Sequence, residues 1–228
     1  MNLFFTEKET TPTQLDLLRH PTPIGKLIFN LAFDNHSLLK VVPQETVYVD
    51  GEIYIASWSF PECQIEFLKL NFHPHLPEGM EIESCLCGVW RVKSLSPRLT
   101  LHFDCYLEST LPRGIIGTPE FGEGLVARSW ENDKYKLTIG TDSEEYLSDR
   151  AFLQKGQKRP SYYHEGGHPE MISYLSNGLR ITLSELSKDD FVQIHFAAAW
   201  TSTIHPGEST LYAVNQSPDQ ILKFCDIY

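Results

Sequence analysis

The chain has 228 residues, 41% of them hydrophobic and 21% charged, with a formal charge of −11 from 19 Lys plus Arg against 30 Asp plus Glu. A chain of this length can bury a sizeable core as one large all-β domain or two small ones, and its composition excludes disordered and coiled-coil proteins. The acidic balance repels phosphate backbones and anionic bilayers, so no nucleic acid and no membrane is expected as a partner.

The first residues, MNLFFTEKETTPTQ, carry neither a basic segment nor a long apolar one, and no apolar run approaches the ~18 residues that span a bilayer. Five cysteines without framework spacing fit a reducing compartment, so a cytoplasmic location is expected.

Residues 1–23 read as an arm with a short helix over Thr13–His20, capped by Thr13 and closed by Pro21 and Pro23. Residues 24–228 read as a single all-β domain. Lys26–Asp34 alternates, with Leu27, Phe29, Leu31 and Phe33 on one face. Thr46–Ile55 reads as a hairpin, because Asp50-Gly51 suits the positive φ angles of a type I′ turn. Further strands are expected over 64–72, 81–92, 98–108, 124–130, 134–140, 178–183, 191–200 and 210–214, separated by Gly/Pro-rich turns. Roughly ten such strands indicate a β-sandwich, jelly roll or barrel-like sheet.

Several stretches carry candidate chemistry. Tyr163–His168, YHEGGH, matches HExxH in letters, but Gly166, Gly167 and the following Pro169 oppose the helix that would bring both imidazoles to one face, so it reads as a turn able to lend a single ligand. His73-Pro74-His75 reads as a loop, since Pro74 interrupts any strand that would donate both rings. Cys85 and Cys87 share a strand face, yet no second paired-Cys motif completes a zinc site. Arg98–Glu108 alternates cleanly, with Leu99, Leu101, Phe103, Cys105 and Leu107 on one face and Thr100, His102, Asp104, Tyr106 and Glu108 on the other. Outside a sandwich that polar face is a solvated surface; inside it lines a cavity, and this second arrangement makes His102, Asp104 and Tyr106 candidate acid–base residues.

The order His102-x-Asp104, His168 and then Arg180 in a G-x-R strand resembles the iron(II) and 2-oxoglutarate-dependent oxygenases. That resemblance implies a jelly roll in which His102, Asp104 and His168 hold Fe and Arg180 holds the 2-oxoglutarate carboxylate.

Phe191–Trp200 presents Val192, Ile194, Phe196, Ala198 and Trp200 on one face and Phe191, Gln193, His195, Ala197 and Ala199 on the other. Such a strand is covered on both sides. Either it lies centrally in a packed sandwich with His195 satisfied by a neighbour, or the alanines leave room for a ligand oriented by Gln193 and His195.

Three functions follow. The first is a small-molecule-binding protein, without a cofactor and of cyclase or isomerase type if it is an enzyme. It would hold an apolar or aromatic ligand with His102, Asp104, Tyr106 and His195 as catalytic groups and Gln193, Trp58, Trp90, Trp200 and Arg180 as contacts. The second is the iron oxygenase. The third is an interaction module using edge strands or the acidic run Asp142–Glu145, for which a homodimer is one arrangement.

Overall fold

The structure, a computed structural model, describes residues 17–34, 36–49, 53–108, 115–151 and 171–224. Alternation of apolar and polar residues becomes fourteen strands among these residues, all paired antiparallel in two sheets. Sheet A contains β1 (Arg19–Pro21), β2 (Lys26–Phe33), β8 (Leu99–Leu107), β13 (Gly178–Leu186) and β12 (Ile172–Leu175) in that order, with β3 (His36–Ser37) against β2. Sheet B runs β4 (Glu45–Val49), β5 (Ile53–Ser59), β6 (Cys63–Asn71), β7 (Ser84–Ser94), β14 (Phe191–Ser202), β11 (Tyr135–Asp142), β10 (Leu125–Glu131) and β9 (Thr118–Gly122). Among the described residues both sheets run as open paths, β1 to β12 and β4 to β9, so the fold is a sandwich rather than a closed barrel.

The interlayer core explains the alternation. Leu27, Phe29, Leu31 and Phe33 from β2, together with Leu99, Leu101, Phe103, Cys105 and Leu107 from β8, meet Ile65, Phe67, Trp90, Ile194 and Phe196 of sheet B. Phe67 stacks on Trp90 at 4.1 Å between ring centroids, and Phe29 meets Phe67 at 5.6 Å. Gly88 sits where a Cβ would come within 2.7–2.9 Å of the Phe29 and Phe67 rings, so glycine there admits the aromatic cluster.

A second apolar layer covers the outside of sheet B. Helices α2 (Ser209–Val214) and α3 (Pro218–Phe224) lay Ala213, Val214, Ile221 and Leu222 on Leu68, Leu70, Cys87, Val89, Ala197 and Ala199. A third helix, α1 (Glu144–Arg150), follows β11. The strand expected over 210–214 is thus helical: Thr210, Ala213 and Val214 are its buried positions, the three- and four-residue spacing of a helix face. Helix α3 begins at a capping box in which the Ser217 amide donates to Gln220 Oε1 (2.7 Å) and the Gln220 amide to Ser217 Oγ (3.3 Å), with Pro218 in the first turn.

Two local expectations change. Arg19 and His20 form β1 rather than the tail of a helix, Leu17 and Leu18 before them are buried in the core, and Thr13–Asp16 lies outside the described residues. In the β4/β5 hairpin Val49 pairs with Ile53, which leaves three residues between the arms where a two-residue I′ turn would pair Val49 with Glu52; Asp50-Gly51 itself lies outside the described residues. No helix among the described residues is long and apolar enough to cross a membrane.

Candidate functional site

Residues His102, Asp104 and Tyr106 lie on the outer face of sheet A, because their neighbours Leu101, Phe103 and Cys105 occupy the interlayer core. The inward-facing arrangement expected for them is overturned. Cross-strand register places Asn30, Asp104 and Arg180 in one row across β2, β8 and β13, with Ala32, His102 and Thr182 in the next. Arg180 donates from Nε to Asp104 Oδ1 (2.6 Å) and from Nη2 to Oδ2 (3.1 Å), while Asn30 Nδ2 approaches Oδ2 at 3.4 Å and Ser37 Oγ donates to Asn30 Oδ1 (3.0 Å). His102 Nδ1 pairs with Thr182 Oγ1 at 3.1 Å, and burial followed by the Arg180 charge holds its pKa below the ordinary value of 6.5. Burial and then the Asp104 charge push the Tyr106 phenol up.

This row is a satisfied structural network. It does not fit the iron site implied by the oxygenase resemblance: the guanidinium that should hold 2-oxoglutarate instead grips both oxygens of the carboxylate that should hold metal. His164 and His168, the remaining donors of interest, lie outside the described residues, and no group of three or more potential metal ligands occurs among the described ones. His73 and His75 are exposed in the loop after β6, as expected.

The tryptophans expected to wall a cavity are core residues. Trp90 is fully buried, Trp200 lies at the interlayer end against His20 (ring centroids 5.8 Å), and Trp58 donates its Nε1 to the Val41 carbonyl at 3.1 Å. Nor do Ala197 and Ala199 leave room for a ligand: together with Gly140 they admit α2, and a Cβ on Gly140 would lie 2.7 Å from the Val214 side chain. A buried hydroxyl chain, Ser129 to Thr138 (2.8 Å) and Thr138 to Thr210 (2.7 Å), ties that helix to the sheet.

The outer face of sheet B gathers the rest of the chemistry. Strands β11 and β14 pair only as far as Gly140 and Ala197; past that point they part, and Thr141 Oγ1 donates to the His195 carbonyl at 2.7 Å. Into the gap comes Asp142, whose Oδ2 stands 3.7 Å from His195 Nδ1, with both side chains almost wholly buried. His195 is thus enclosed in the packed sandwich beside Asp142, at ion-pair distance from it and not within hydrogen-bonding distance. Asp142 also lines a cleft of about 470 Å³ together with Glu123, Tyr146, Asn215, Gln216 and Gln220. Gly124, at φ +73°, turns the β10 hairpin beside it, and a Cβ there would collide with the Tyr146 ring. The α2–α3 connection forms the opposite rim. None of the described lining residues is a Lys or Arg, so the cleft repels anions and suits ligands rich in N–H or O–H donors.

On the neighbouring row of β14, Gln193 accepts from Arg91 Nε at 3.1 Å, and Arg91 Nη1 reaches Glu66 Oε1 at 3.4 Å. Sequence reading thus found His195 and Gln193 but missed their partners Asp142 and Arg91, which become neighbours only through strand pairing.

No known family model matches the chain and no curated protein matches it, so the function is read from the site's own geometry.

Proposed function

We propose that this protein binds a small amine-bearing molecule in the Asp142 cleft and moves a proton on it without a cofactor. One observation carries the reading: Asp142, whose almost fully buried carboxylate is backed at 3.7 Å by a fully buried imidazole, lines a cleft of ligand size with no cationic lining residue among those described. An ammonium group would take its charge partner from Asp142 and hydrogen-bond acceptors from the amide carbonyls of Asn215, Gln216 and Gln220. Asp142 is the group that touches the ligand; His195, wholly enclosed, positions it and steadies its charge. The ligand is polar where an apolar or aromatic one was expected, because the aromatic residues fill the interlayer core.

Titration calorimetry with 1,4-diaminobutane, sorbitol and succinate tests the binding step. The diamine is expected to bind best, succinate not at all, and Asp142→Asn to weaken the diamine by about tenfold or more, which corresponds to at least about 1.4 kcal/mol. Equal affinity in the variant, or preference for succinate, contradicts the proposal. For proton transfer, the protein is incubated in deuterium oxide with a small amino ketone; deuterium entering next to the carbonyl, and its loss in Asp142→Asn, is the expected result, whereas binding without exchange makes the protein a carrier only.

A second reading, an interaction module, draws on the outermost described strands of sheet B, β4 and β9. Strand β4 is exposed along almost its whole length, and Phe121 on β9 is 73% exposed. The acidic run Asp142–Glu145 contributes nothing to it as a docking loop, since Asp142 ends β11 and Glu144 accepts from the Ile172 amide at 3.1 Å.

A further inference from the structure

Beyond the cleft, the outer face of sheet B carries a second concavity of about 400 Å³ near the ends of β5, β6, β7 and β14. Register builds its floor from two adjacent rows: Ser57, Glu66, Arg91 and Gln193 in one, and Ser59, Gln64, Lys93 and Phe191 in the next. Arg91 and Lys93, two apart on β7, project from the same face with Cα atoms about 7 Å apart. The chain carries a net charge of −11, so two cations side by side in one hollow run against its overall balance.

Arg91 is held in place. Its Nε donates to Gln193 Oε1 at 3.1 Å, and Gln193 is 4% exposed, so the guanidinium is oriented before any ligand arrives. The remaining partners are easily displaced. Glu66 meets Arg91 through a single nitrogen at 3.4 Å with 41% of its side chain exposed, and the bridge from Lys93 to Asp189, at 3.6 Å, is more open still. Beside the cations stands Phe191, the one aromatic side chain in the two rows, with Trp58 and Ile65 bordering the hollow.

We propose that this groove binds a small aromatic carboxylate, the oxyanion between Arg91 and Lys93 and the flat apolar body against Phe191. Two cations on one strand face fix the anionic end, a preoriented guanidinium gives it direction, and the aromatic wall selects a planar body. The site differs in charge and position from the amine cleft, so either can fail without the other.

The test is titration calorimetry of the full chain with benzoate, phenyl phosphate and acetate. Benzoate is expected to bind more tightly than acetate by about tenfold. Arg91→Met is expected to weaken benzoate by about tenfold or more and Lys93→Gln by several-fold, both leaving 1,4-diaminobutane binding unchanged. Lys93 is half-buried with 44% of its side chain exposed, so Lys93→Gln perturbs the fold little and keeps the test decisive if Arg91→Met proves unstable. Benzoate binding unaffected by Lys93→Gln, acetate binding as well as benzoate, or no heat from benzoate at tens of millimolar overturns the proposal; phenyl phosphate binding far more tightly than benzoate overturns the choice of a carboxylate.

Discussion

Truncating Trp90 separates a core tryptophan from a cavity wall. Its ring is fully buried, stacked at 4.1 Å on Phe67 and 6.3 Å from Trp58, in a layer where Gly88 already yields its side chain to the same cluster. Trp90→Ala removes that entire contact surface, and the surrounding strands, hydrogen-bonded on both sides, cannot collapse into the space. The expected cost is therefore about 3–5 kcal/mol, the range for large aromatic truncations in packed cores. With a urea m value of about 2–3 kcal/mol/M the unfolding midpoint falls by about 1–2.5 M at unchanged slope. Trp90→Phe is a sharper control. The indole Nε1 is buried with no hydrogen-bond partner, so losing it returns part of the roughly 1–3 kcal/mol that an unmet donor costs, and the Phe variant stays within about 1.5 kcal/mol of the parent. Equilibrium urea unfolding of the ligand-free protein, followed by circular dichroism, measures both. A loss below about 1 kcal/mol for Trp90→Ala would mean that the ring borders empty space and that the packed-core assignment is wrong.

Other outcomes follow from named contacts. Arg180→Met strands the buried Asp104 carboxylate and is expected to cost about 1.5–3 kcal/mol in urea unfolding, a range kept modest by the partly exposed guanidinium; loss of less than about 0.5 kcal/mol would show that the pair is ornamental. Burial, reinforced by Lys69 for His20 and by Arg180 for His102, holds both imidazoles below their ordinary 6.5, so the unfolded chain takes up more protons as pH drops past that value. Stability present above pH 6.5 is accordingly lost on acidification, and between about pH 7.5 and about pH 5.5 a His20→Gln/His102→Gln variant should lose less than the parent; parallel profiles would contradict the assignment. Burial, then Glu62 and Asp34, pushes the Cys63 thiol up to about 12, and burial also raises Cys105. Peptide mapping after iodoacetamide treatment of the native protein should find Cys63, Cys85, Cys87 and Cys105 unmodified, all four becoming reactive in urea.

Period-two alternation made most of the sandwich legible, since Lys26–Phe33, Leu99–Leu107 and Phe191–Ser202 each show their core face in the residues alone. What alternation cannot say is which way the other face looks. The polar side of Leu99–Leu107 faces away from sheet B because Leu99, Leu101, Phe103, Cys105 and Leu107 take the interlayer side, whereas the small side of Phe191–Ser202 is covered by two helices whose sequences are short and partly β-branched. Helix α3 did leave a signal, the Ser217-Pro218-Asp219-Gln220 start; Thr210–Val214 left a weaker one in its spacing. His195 and Gln193 stood out as polar groups on an otherwise apolar strand, while Asp142 and Arg91 lie 53 and 102 residues away from them in sequence and are joined to them only by tertiary structure.

Backbone amide mapping by NMR during titration with 1,4-diaminobutane tests the Asp142 cleft most directly. Saturable shifts are expected at Glu123, Asp142 and Tyr146 and across Asn215–Gln220, with the Asn30–Asp104–Arg180 row silent and the response largely abolished in Asp142→Asn. Shifts centred on any other part of the fold, or none at saturating diamine, would contradict the assignment of this cleft as the ligand site.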